Sequence, residues 1–248
     1  MERLRTIGFR LARIAAALVV AVPAGLSMTT TAEAATCTAT GFVRDSINLT
    51  AAQIGGTVSG SLDATGCDIG VYFATPGSVT PGAQIFGARY FGVVNDGTSV
   101  TIEGASVLNI GENPFKGSQH GIGIYFTNGG SGVIDGNTVS AYQKGGIVVT
   151  GSGTTASVTN NTVRGLGPVV FIAQNGIEVL RGAVAAVRGN DVSDNFYTGE
   201  GGVPNPAGDS PEGFEYFSTG LLLFEAGAGT KTSNNQFSGN QHNFANVP

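Results

Sequence analysis

The 248-residue sequence contains no tryptophan, two histidines, two cysteines and two methionines, and only 12% of its residues are charged. Each scarcity removes a class of function. Met1 and Met28 precede residue 35, which leaves His120 and His242 as almost the whole soft-donor supply for a copper centre. Two thiols alone do not make a four-ligand zinc site. Lys and Arg never cluster after residue 34, which argues against nucleic acid and against docking on anionic lipid. No Gly-x-Ser-x-Gly elbow surrounds a serine, so a Ser-His-Asp hydrolase has no support. The Gly-rich stretches Gly129-Gly130-Ser131-Gly132 and Gly151-Ser152-Gly153 lack the strand–loop–helix setting of a nucleotide site.

What is abundant is glycine, with 40 residues, together with short runs of Val, Ile and Thr. Glycine weakens helices and β-branched residues favour strands, so the composition reads as all-β. The first 34 residues stand apart. Arg3, Arg5, Arg10 and Arg13 precede an apolar run from Ile14 to Leu26, and Ala32-Glu33-Ala34 follows as a small-x-small cleavage signal. This is the pattern of a secretory signal peptide cut after Ala34, and the chain is expected outside the cell. The apolar run is shorter than the roughly 20 residues that span a bilayer, and no later stretch is longer, so no membrane association is expected after cleavage. Four of the twelve basic and two of the seventeen acidic residues fall in this segment, leaving eight and fifteen, a net charge of −7. In an oxidising compartment Cys37 and Cys67 are expected to pair. That link closes a loop of about 30 residues and contributes about 3 kcal/mol in the chain-entropy picture.

Two interlocked repeats organise the rest. Ile69, Val93, Ile122, Ile147, Ile177 and Leu221 each belong to a short apolar run, at intervals of 24, 29, 25, 30 and 44. Out of phase with them run Asn137, Asn161, Asn190 and Asn235, at intervals of 24, 29 and 45, each followed two residues later by Val or Phe. A unit of about 24 residues, with short strands and Gly/Asn turns, describes one coil of a single-stranded parallel β-helix of about six to seven coils. Alternate residues such as Ile122 and Ile124, Ile147 and Val149, and Ile177 and Val179 are expected to face inward. The Asn series is expected to be a structural ladder, with Asn in left-handed turns and stacked amides bonding along the axis. Residues 35–66 are expected to cap the helix, 67–248 to form it, and 198–216 to be an inserted loop. The tail from Gln236 is expected to close the last coil.

These repeats, from about Gly66 to Asn243, resemble secreted bacterial right-handed parallel β-helix proteins of the pectate-lyase-like superfamily. The resemblance implies fold well and function poorly, because that group spans lyases, hydrolases, epimerases and carbohydrate-binding modules. The motifs that family hydrolases use on polygalacturonate (Asn-Thr-Asp, Asp-Asp, Gly-His-Gly, Arg-Ile-Lys) are absent apart from the partial Gln119-His120-Gly121.

The polar lead-ins to the apolar runs offer the candidate site. Gln119, Gln143 and Gln174 would stack in a row, with His120, Lys144 and Asn175 nearby. One reading is a turn ladder of amides. The other is a surface for an extracellular polysaccharide, with Gln119, Gln143, Gln174, Asn175 and Tyr125 binding sugar. If the chain is an enzyme, Lys144, His120 and Glu178 are its catalytic candidates, with Lys144 as a base or carboxylate partner, His120 as a proton shuttle and Glu178 accepting sugar hydroxyls. Binding without catalysis, a polysaccharide lyase or epimerase, and a structural or assembly module all remain open. No cofactor or metal is expected. The acids of the 198–216 insertion would be oxygen donors for Ca²⁺, but the spacing of a calcium loop is missing.

Overall fold

The computed structural model describes residues 36–199 and 217–248. The expected signal peptide, and all but the first two residues of the 198–216 insertion, lie outside the described residues. The described chain is built of short strands sorted into three sheets. Sheet 1 has nine strands and sheets 2 and 3 have seven each. Each coil contributes one strand to each sheet in turn. In the coil that starts at Ile122, for example, Ile122–Thr127 lies in sheet 1, Ser131–Asp135 in sheet 2 and Thr138–Tyr142 in sheet 3. Neighbouring coils pair in parallel, strand upon strand. Seven such coils stack, and His242–Val247 begins an eighth in sheet 1. The tail from Gln236 therefore supplies the last strands themselves.

The core is one apolar column inside the coils. The true equivalents in sheet 1 are Val71, Val93, Ile124, Ile147, Ile177 and Leu221, which pair in sequence and are all essentially buried. Ile69 and Ile122 were misplaced by two residues. They pair with Phe91 and lie on the outer side of the sheet, in a second cluster with Tyr72, Val94, Tyr125 and Val148. The cause is a row of glycines, Gly70, Gly92, Gly123, Gly146, Gly176 and Gly220, each immediately before a core residue. A Cβ on Gly123 would meet Val139 Cγ1 at 2.5 Å and the Gly146 carbonyl oxygen at 2.6 Å. The corner thus points two successive residues, glycine and aliphatic, toward the interior. Strict alternation fails there, and the preceding side chain is thrown outward.

The segment expected to be a cap is only partly one. Thr38–Arg44 and Ile47–Ile54 form an antiparallel hairpin, but Ile47–Ile54 is also the first strand of the first coil. The hairpin leans over sheet 1, where the Phe42 ring lies 5.9 Å from Tyr72 and 6.1 Å from Phe91. Cys37 and Cys67 are joined by a disulfide, and Asp68 accepts bonds from the Thr50 amide and hydroxyl. Replacing both cysteines with serine is expected to cost about 3 kcal/mol. The hairpin amides should lose hydrogen-exchange protection before the central coils do. Unchanged protection at residues 38–54 would show that apolar packing alone holds the hairpin.

Candidate functional site

The Asn series forms a continuous buried ladder between sheets 2 and 3. Asn137, Asn161 and Asn190 each accept, through Oδ1, the backbone N–H one coil earlier, at Ala105, Asn137 and Asn161. Each Nδ2 donates to a carbonyl of the preceding coil, at Ile102, Ile134 and Val158. Asn235 ends the run, accepting from Asn190 N–H and donating to Val187 O. One detail corrects the expectation. The left-handed residue is the one before each of them: Gly136, Asn160, Gly189 and Asn234 have φ between 54° and 65°. The ladder Asn has its side chain inside and an ordinary backbone. A second ladder escaped the sequence reading. Asn195 N–H donates to Asn240 Oδ1, and Tyr142 OH donates to Asn195 Oδ1 at 2.5 Å. Its signal was present, since Tyr142, Asn195 and Asn240 each stand five residues after a ladder Asn.

The three Gln do not form one row. Gln119 is exposed and lies outside any strand. Gln143 and Gln174 are fully buried. Gln143 accepts from the Glu112 and Lys116 amides and donates to the Ser118 and His120 carbonyls, so its whole amide holds the segment 111–121. Gln174 donates to Tyr142 O and Gln143 O and accepts from Leu166 N–H. Gln241, which the sequence reading passed over, serves the next coil by accepting from the Ser218 amide. Neither buried Gln has an amide to offer a sugar. Tyr125 is also unavailable, because it is buried with its ring 4.8 Å from Phe91.

The proposed catalytic trio separates. His120 stacks on Tyr90 with centroids 4.0 Å apart, and its Nε2 lies 3.1 Å from Glu112 Oε1. Burial pushes the His120 pKa down, Arg89 adds to this, and Asp45 opposes it. The ring is therefore neutral at pH 7, and its Nε2–H tautomer is the one that can donate to the carboxylate. Lys144 belongs to a different group, with Glu178 and Asn175. Its Nζ donates to Ala173 O at 2.8 Å. Burial pushes Lys144 down and Glu178 up, and each opposes the shift of the other.

A cleft the sequence did not reveal lies against the segment that carries His120. Gly111 to Gly121 links sheet 3 to sheet 1 and bends over the corner where three coils turn. Beneath it is a cavity of about 400 Å³ lined by Thr65, Phe86, Asn109, Glu112, Asn113 and Phe115. An adjoining hollow reaches Arg89 and Lys116. Glu112 organises this loop. Its nearly buried carboxylate is paired with Lys116 and, at 3.2 Å, with Arg89, besides His120. Two phenyl rings, exposed residues Asn109 and Asn113 and the Thr65 hydroxyl therefore surround one opening, next to Arg89 and Lys116, which share the Glu112 carboxylate. Among the described residues no group of three or more His, Cys, Asp or Glu is placed to hold a metal.

The stacked coils, the Asn ladders and the corner cleft define a parallel β-solenoid with a loop-covered recess. The model for right-handed β-helix regions matches residues 91–247, more than half of the chain, and the protein belongs to that family. No curated protein matches it. Among solved structures, QnrB1, a plasmid-mediated fluoroquinolone resistance protein, is similar at 13% identity over 75% of this chain and 90% of that one. The TM-score of 0.14 is too small for that likeness to bear on fold or function.

Proposed function

We propose that this is an exported β-helix protein that binds an extracellular carbohydrate in the cleft beneath residues 111–121, without transforming it. The leader-like first 34 residues and the Cys37–Cys67 disulfide support export. The observation that carries the binding reading is the cleft lining. A sugar ring presents apolar C–H faces and a rim of hydroxyls, and Phe86, Phe115, Asn109, Asn113 and Thr65 offer surfaces for both. The lyase or epimerase alternative is weakened, because His120 bonds to Glu112 while Lys144 and Glu178 belong to a separate group.

The test is a glycan array probed with the folded protein, followed by titration of the strongest hit. Phe115→Ala should weaken that binding roughly tenfold, about 1.4 kcal/mol, the upper range for one aromatic contact. Thr101→Ala, on the outer side of sheet 2, should leave it unchanged. An array without hits, or a hit indifferent to Phe115, would remove the cleft from consideration. Ultraviolet-absorbing product from a polysaccharide panel, lost in Lys144→Ala, would instead establish a lyase.

A further inference from the structure

Asn175, Lys144, Glu178 and Thr219 form a group that the binding cleft does not use. Asn175 stands in the sheet 1 row that elsewhere carries Ile69, Phe91 and Ile122, with Gly145 on one side and Thr219 on the other. The residue is 6% exposed. Asn175 Oδ1 accepts two hydrogen bonds from one residue, the Thr219 amide at 2.9 Å and the Thr219 hydroxyl at 2.8 Å. The Asn175 amide is hydrogen-bonded in turn to Glu178. Glu178 lies back over the preceding coil, so close that a Cβ on Gly145 would be 3.2 Å from its Oε1. Lys144 is next to Gly145, and its Nζ rests on the carbonyl of Ala173, two residues before Asn175. An amine, a carboxamide with a doubly bonded oxygen and a carboxyl group are thus gathered on adjacent coils.

We propose that Lys144 and Asn175 become joined by an intramolecular isopeptide bond, with Glu178 moving the protons and Thr219 stabilising the oxygen. Lys144 Nζ leaves Ala173 O and attacks Cγ of Asn175. The carbonyl electron pair moves onto Oδ1, where the Thr219 N–H and O–H already point, the arrangement of an oxyanion hole. Glu178, protonated at the start, delivers its proton to Nδ2 and takes one from Nζ in its place. Collapse of the tetrahedral carbon forms the new amide and expels ammonia. Amine and carboxamide give amide and ammonia, with no oxidant or co-reactant. Burial favours the neutral amine at Lys144 and the protonated acid at Glu178, the forms that the first step requires.

The experiment is the intact mass of the purified folded chain, followed by tryptic mapping. The wild type should be lighter than its sequence by one ammonia, after allowance for signal cleavage and the disulfide. Trypsin should fail to cut at Lys144 and should release residues 117–164 joined to 165–181. Glu178→Gln, which keeps the size of the side chain, should return the full mass, as should Lys144→Arg. A wild type of full mass with free Lys144 would overturn the proposal without recourse to any variant. So would ammonia loss with Lys144 still cleavable, which marks a succinimide at an Asn-Gly, or conversion of Asn175 to Asp.

Discussion

Gly146→Ala is expected to be among the most destabilising single-methyl additions in this protein. The new Cβ would fall 2.4 Å from Val163 Cγ1, 2.5 Å from the Gly176 carbonyl oxygen and 3.0 Å from Tyr142 Cε1. The second of these is backbone of the next coil and cannot rotate away. Val163 and Tyr142 are fully buried and have nowhere to move. Overpacking a dense interior costs roughly 1–3 kcal/mol and more when backbone must shift, and here the shift would separate two hydrogen-bonded coils. We expect a loss of about 3 kcal/mol or more, or failure to fold. Gly145→Ala is the control one residue away. Its nearest neighbour is the flexible end of Glu178 at 3.2 Å, and neither glycine has a positive φ. The two variants therefore differ in packing alone, and equal melting temperatures would refute the account of the corner.

Asn161→Ala should come next, at about 3–5 kcal/mol. The side chain accepts from Asn137 N–H at 2.9 Å and Asn137 Nδ2 at 3.0 Å, and donates to Ile134 O at 2.9 Å and Asn190 Oδ1 at 3.0 Å. Alanine leaves the buried Asn137 N–H and Ile134 O without these partners, and each orphaned group costs about 1–3 kcal/mol. The penalty should be graded along the ladder. Asn235 is less buried and, unlike Asn161, has no further ladder residue to donate to, so Asn235→Ala should cost less. Asn160→Ala, at the exposed left-handed residue beside it, should cost about 1 kcal/mol. Denaturant unfolding of the three variants gives the order, and an Asn160 penalty above that of Asn161 would contradict the ladder.

Glycine provided a better register marker than the aliphatic residues did. Every core position in the sheet 1 row from Val71 to Leu221 follows a glycine, and that dipeptide is visible in the chain. Aligning on the first aliphatic of each run instead displaced Ile69 and Ile122. An apolar run does not say which of its members a corner turns inward. The Asn ladder was legible because stacking imposes one residue type at the same place in successive coils, always two residues before Val or Phe. The Gln residues looked like the same phenomenon. Gln143 and Gln174 do bond to backbone, but Gln119 has no part in it, since its segment bulges out as the 111–121 loop.

The cleft had no signature in the chain because it belongs to no single segment. Thr65, Phe86, Asn109 and Phe115 come from successive turns and one loop, and only the stacking of coils brings them together. The Lys144–Glu178–Asn175–Thr219 group arises in the same way, from residues up to 75 positions apart. Architecture, coil number, the disulfide and the Asn ladder follow from periodicity and composition, because parallel stacking repeats one environment in every coil. Which polar residues end up buried against backbone, which face a cavity and which meet one another was decided by the loops and corners between strands. There the repeat breaks, and spacing along the chain no longer specifies position in space.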